Sequence, residues 1–181
     1  CTGDLVNSSS STAEYNNADI AFDILDAANI PYSVVPGNHD MSMGTTLFPD
    51  YFGISRFAGK SWYGGSLDDY NTYSVFSVPG NDFLVINLQY SPGSTQPDWA
   101  DNLLKAYPDH RGIVVQHNIL NIDNSWNNQA SYTALRDNPN LFMMVCGHMH
   151  SASDGAAYVA GTGTDGHTIH VIQADYQDMS S

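Results

Sequence analysis

The sequence predicts a single α/β domain over residues 1–181, on three observations. Short apolar runs alternate with amphipathic stretches at helical spacing, the layout of strands joined by crossover helices. Several apolar runs end in polar, chemistry-bearing residues. The hydrophobic share is 42% and the charged share 13%, a globular composition in a chain long enough to bury a core.

The elements follow in chain order. CTGDLV is read as the tail of a strand entering the polar loop NSSSST. Residues 17–29 place Ala18, Ala21, Phe22, Leu25 and Ala28 at i, i+3, i+4 spacing, which predicts a helix. YSVV, residues 32–35, is read as a strand, and GNHD as the loop that ends it. Residues 41–71 are irregular and rich in Gly, Tyr, Phe and Asp, an insertion of the kind that often carries function. TYSVFSV and DFLVINLQY read as strands joined by a PGND turn. PDWADNLLKAY is a helix with Pro97 at its start. GIVVQH is a strand, 127–136 a helix, LFMMVCGH an apolar strand and HTIHVIQADY a final alternating strand.

Charge narrows the function. The formal net charge is −14 with only five Lys and Arg, which argues against a nucleic-acid surface built from clustered cations. An anionic substrate would have to be held by something other than Lys and Arg. No stretch is apolar enough to span a membrane. Few Lys and much Asn, Ser, Thr, Tyr and Gly lean towards a secreted or periplasmic protein. Cys1 and Cys146 make no disulfide framework and are expected as buried free thiols.

Four polar clusters follow apolar runs: Gly3-Asp4, Gly37-Asn38-His39-Asp40, Gln116-His117-Asn118 and Gly147-His148-Met149-His150. Ligands bind beyond the carboxyl ends of strands in open α/β sheets, so the clusters are expected to converge. Imidazole, carboxylate and amide donors suit Fe, Mn or Zn. Two such cations about 4 Å apart clamp attacking and leaving oxygens and supply positive field in an acidic protein. Gly-Asp alone is an ordinary turn, and His110, His167 and His170 are read as structural. Tyr63, Tyr70 and the Gly-rich 59–66 segment are read as loop packing or as pocket lining.

The ordered set GD…GNHD…H…GHxH resembles the calcineurin-like metallophosphoesterases, from Thr2-Gly3-Asp4 to about Tyr176. FLVINLQY and PDWADNLLKAYPDHRGIVVQHN look like its exported bacterial branch. The resemblance implies a four-layer α/β/β/α sandwich with a dinuclear site of transition metals at the strand ends. It implies Asp4 as the bridging carboxylate, Asn38, His117 and His148 as ligands of one metal, and His150 as a ligand of the other. It implies His39 as the group that contacts phosphate and protonates the leaving group, with Asn7 and Asp40 supporting from behind. The substrate is then a small phosphoester; monoester, diester, nucleotide and phospholipid all stay open.

Two departures carry expectations. Family members begin with a strand ending in Asp-x-His, and none precedes Gly3; Asp165-Gly166-His167 follows GTGT and reads as a turn. The expectation is a chain truncated at both ends and an incomplete sandwich, binding one metal well and the second poorly, with weak or no turnover. Asn7 stands where the family often has an acid, and its side chain is expected to accept an N–H from His39 without supplying charge. Two rival readings are a non-catalytic, metal-stabilised scaffold of the same fold and an extracellular carbohydrate- or protein-binding domain.

Overall fold

The computed structural model describes residues 1–42 and 45–177. Six helices and seven strands are found among them: α1 (Thr12–Ala27), α2 (Asn38–Met41), α3 (Phe48–Phe52), α4 (Ile54–Phe57), β1 (Tyr63–Ser66), β2 (Thr72–Val78), β3 (Asn81–Leu88), α5 (Thr95–Ala106), β4 (Arg111–Gln116), α6 (Ala130–Leu135), β5 (Leu141–Cys146), β6 (Ala156–Thr162) and β7 (Thr168–Ala174). The strands form one mixed sheet in the order β1-β2-β3-β4-β5-β7-β6. This is the α/β class read from the sequence.

β3, β4, β5 and β7 run parallel. Parallel neighbours need crossovers, and α5 and α6 supply the first two. The carboxyl ends of β3, β4 and β5 therefore lie on one edge of the sheet, and that edge carries the site. One sheet face packs Leu84, Ile86 and Leu88 of β3, Val114 of β4, Met144 and Cys146 of β5 and Ile169 and Val171 of β7 against Ala100 and Leu104 of α5 and Leu135 of α6. A second, aromatic core gathers Val6, Tyr15, Val34, Phe48, Phe52 and Phe57. It fixes α1 and the Asp4 and GNHD segments beside the sheet edge.

Several expectations are corrected. α1 begins at Thr12, because Ser11 caps it: the Ser11 side chain accepts the Glu14 N–H. Residues 32–35 and 1–6 join no ladder. They are tied by single contacts instead, such as the Cys1 amine donating to the Ser33 carbonyl at 2.7 Å and the Ser33 hydroxyl donating to Asn87 at 3.0 Å. The GNHD stretch is the helical turn α2 rather than an open loop. Residues 41–71 hold α3, α4 and β1; Tyr63 and Tyr70 pack on the aromatic core and do not line the cavity described below. α6 is shorter than 127–136, and 156–162, not read as a strand, is β6. Asp165-Gly166-His167 is a turn between β6 and β7, with Gly166 at φ +90. Cys1 is exposed, whereas Cys146 is buried.

Candidate metal centre and active site

β4 ends at Gln116, whose amide donates to the Asn118 carbonyl (3.0 Å) and accepts from Ser131 (2.5 Å). These bonds set the direction in which His117 leaves the sheet. The Gly147 N–H donates to the His117 carbonyl at 2.9 Å, so the ends of β4 and β5 are held together. That places His148 beside His117, their rings 4.9 Å apart. Asp4 and His148 both adopt positive φ, +52 and +74. Backbone held in this region by a non-glycine residue stores strain that the surroundings must offset, and it concentrates at functional sites.

Glycine is required at two points. Gly3 has φ +103, and a Cβ there would lie 2.5 Å from His117 Nδ1. A Cβ on Gly37 would collide with the Asp4 carboxylate and lie 2.5 Å from its N–H. The GNHD turn can therefore press against Asp4 only with glycine at its head. Asp40 completes the arrangement. Fully buried, it accepts from Gly37 N (2.7 Å), Leu5 N (3.0 Å) and Val6 N (3.3 Å). One carboxylate thus binds the backbone of both segments that carry Asp4 and Asn38.

Four donor atoms converge. His117 Nε2 lies 3.1 Å from Asn38 Oδ1, 3.2 Å from Asp4 Oδ2 and 3.2 Å from His148 Nδ1. His117 Nδ1 sits 2.6 Å from the Thr2 carbonyl, which can only accept, so Nδ1 carries a proton. Neutral His117 then points a bare lone pair at two oxygens and a nitrogen. Only a proton or a cation in their midst satisfies this set. Ligand atoms of Asp4, His117 and His148 all lie within 4.8 Å of one another. The donors fit a divalent transition metal.

The electrostatics agree. Burial pushes the Asp4 carboxyl up, but the hydrogen bond and charge of His117 and the His39 N–H outweigh it and hold Asp4 below the usual range. Burial pushes His117 down, and its bond to Asp4 more than reverses this, so its pKa is raised. Burial, and then the neighbouring His117, lower His148, which keeps it neutral and able to ligate. Burial drives Asp40 up to about 6 against its three N–H donors.

His39 is exposed on the wall of a cavity of about 530 Å³ that Asp4, Asn38, His148 and His150 also line. Its N–H donates to Asp4 Oδ1 at 2.9 Å, and its Nδ1 donates to the Asn7 carbonyl at 3.0 Å. The partner of the imidazole is thus the Asn7 backbone, not the expected side chain. The reason is Glu14, whose carboxylate accepts the N–H groups of Asn7 (2.6 Å) and Ser8 (3.0 Å) and fixes that backbone. His150 lies outside the four-atom cluster, 2.5 Å from the amide of Gln177, which also lines the cavity. His110, His167 and His170 do not line the cavity; the last pairs with Tyr158 at 2.9 Å.

Sequence reasoning missed two contributors. Tyr90 places its ring 5.7 Å from His117 and 5.5 Å from His148, a wall against the imidazoles. Its position just past the end of β3, on the edge that bears His117 and His148, was the available signal. Glu14 was the other, and the Ser11-x-x-Glu14 spacing of a helix start was its signal.

A sheet edge that gathers Asp, Asn and two His around one point, with a histidine beside it, offers a set of donors that a divalent metal fits. Residues 1–152 match the model of the calcineurin-like phosphoesterases, and the chain belongs to that family, whose members use divalent metals. Among relatives, the uncharacterised protein YvnB of Bacillus subtilis is 31% identical over 97% of this chain and 14% of its own length. A probable cyclic nucleotide phosphodiesterase of Moraxella catarrhalis is 23% identical over 99% of this chain and 62% of its own. The 3',5'-cyclic adenosine monophosphate phosphodiesterase CpdA of Escherichia coli is 28% identical over 84% and 54% respectively. The chain spans less than two thirds of each of these relatives. No helix among the described residues is long and apolar enough to cross a membrane.

Proposed function

We propose that this chain carries the catalytic centre of a metal-dependent phosphodiesterase acting on a small phosphoester. The observation that carries the proposal is the convergence of Asp4, Asn38 and His148 on His117 Nε2, with His39 held at the same cavity wall. Asp4, Asn38, His117 and His148 would hold one metal, and Asp4 with His150 offers two ligands to a second. When bound there, such metals neutralise phosphoryl oxygens and acidify water.

The remaining work belongs to the chain. Asp4 is oriented through one oxygen by the His39 N–H and through the other by His117. His39 keeps a proton on Nδ1 for the Asn7 carbonyl, so proton exchange with substrate takes place at Nε2. The imidazolium form gives that proton to the departing oxygen. The backbone bond from His39 to Asp4 fixes the distance between the proton donor and the ligand cluster. Tyr90 screens the imidazole pair on one side.

The test is His39→Ala on two diesters. An alkoxide leaving group needs the proton, and a nitrophenolate does not. Loss of the donor should cost about 10²–10⁴-fold with the alkyl diester and far less with the nitrophenyl one. Equal losses on both would contradict the assigned role.

A further inference from the structure

We propose that Glu14 is a specificity-determining residue, setting the cavity to take monoanionic phosphodiesters with an uncharged or cationic alcohol and to disfavour dianionic phosphate groups. The inference rests on the phosphodiesterase reading of the same site and deepens it. None of the five Lys and Arg residues lines the cavity. Arg56 and Lys60 are committed to Asp19, Asp23 and Asp26, Lys105 to Asp101, and Arg111 lies over the Phe142 ring at 4.0 Å. Glu14, Asn17, Ala18 and Asn7 line the same cavity as Asp4, Asn38 and His148.

Glu14 is not a loose surface acid. Its carboxylate is anchored by the Asn7 and Ser8 N–H groups, so it cannot swing away from an incoming anion without breaking both bonds. Those same bonds hold its pKa below the usual range, so it stays charged at neutral pH. Asn7 and Asn17 add amides able to bind hydroxyl or ammonium groups. A phosphodiester brings one negative charge to the metal ligands and its alcohol to these side chains. A monoester or polyphosphate brings further negative charge into a cavity that has no guanidinium or ammonium to meet it.

The experiment is calorimetric binding of methyl phosphate and dimethyl phosphate to the Mn²⁺-loaded protein. It is run at about pH 8, above the second phosphate pKa of about 6, so that the two ligands differ by one charge. Glu14→Gln keeps an acceptor for both N–H groups and removes only the charge. It should raise the affinity ratio of methyl phosphate to dimethyl phosphate by about two- to fivefold, the effect of one charge on another across a solvent-open cavity. Asn17→Asp adds a charge to the same cavity and should shift the ratio the other way. It reports even if the Glu14 variant does not fold. An unchanged ratio in the folded variants overturns the proposal. Hydrolysis of nitrophenyl methyl phosphate, followed in parallel, separates the two claims. A shifted ratio without any cleavage sinks the catalytic reading and supports the ligand preference. Cleavage with an unshifted ratio keeps the catalytic reading and overturns the preference.

Discussion

Replacing Asp40 by alanine removes the carboxylate that joins the Asp4 segment to the GNHD turn. Its oxygens accept from Gly37, Leu5 and Val6, and the side chain is fully buried. Deletion strands three backbone donors, at about 1–3 kcal/mol each when water cannot reach them. The Leu5 N–H is only part-buried, so the loss should be about 3–6 kcal/mol. Asp40→Asn is a different perturbation. It keeps one acceptor and removes a charge that burial disfavours. With the carboxyl pushed up to about 6 from 3.8, burial net of its N–H donors disfavours the ionised form by about 3 kcal/mol. The asparagine variant should therefore lie within about 2 kcal/mol of wild type near neutral pH. The sign of the pH effect follows. A raised folded pKa means stability that is fully present below about 4 and is lost as pH rises through about 6. Asp4, with a lowered pKa, works in the opposite direction and at lower pH. Urea denaturation across this range, with chelator present, measures both variants. A wild-type-like alanine variant would refute the argument, and so would an asparagine variant that keeps the wild-type slope between about pH 4 and 6.

Other expectations are sharp enough to test. Gly37→Ala puts a methyl into Asp4 and should weaken Mn²⁺ binding at least about tenfold by calorimetry, as displacement of a support to a ligand does. Metal affinity should rise with pH through neutrality, because the raised pKa of His117 lets a proton compete for Nε2; a pH-independent affinity would contradict this. Asn7→Asp should move the pH–rate profile by less than about one pH unit, the effect of one added charge near solvent, since His39 stays held by the Asn7 carbonyl. Titration of this chain with Mn²⁺ should show one tight equivalent and a much weaker second, because His150 adds only one ligand to the shared Asp4.

The central sheet was legible because its strands are apolar runs punctuated by turns: β2 matches the sequence reading residue for residue, β5 and β7 lie within the predicted runs, and β3 and β4 begin one residue before theirs. The segments 1–6 and 32–35 share that apolar pattern but find no ladder partner, and hydrophobic periodicity is blind to pairing. The start of α1 was misplaced because Ser11 was read with the polar loop NSSSST rather than as a cap. Asp4, Asn38, His117 and His148 were legible from local chemistry, each beside a glycine or at a strand end. The support behind them was not. That the Asn7 carbonyl meets His39, that Glu14 accepts the Asn7 and Ser8 N–H groups, and that Tyr90 flanks two imidazoles are facts of tertiary placement. The helix-start spacing of Ser11 and Glu14 and the place of Tyr90 past a strand end point to these residues, but neither says what they meet.

The most direct test of the account is turnover of a nitrophenyl phosphodiester by the purified protein with and without added Mn²⁺, compared with its His117→Ala variant. The account predicts weak but measurable cleavage by wild type that depends on the metal, is abolished by chelator and is lost in the variant together with its metal affinity. Metal-independent cleavage, or a variant that binds and cleaves as wild type does, would contradict the assignment of this cluster as the catalytic centre.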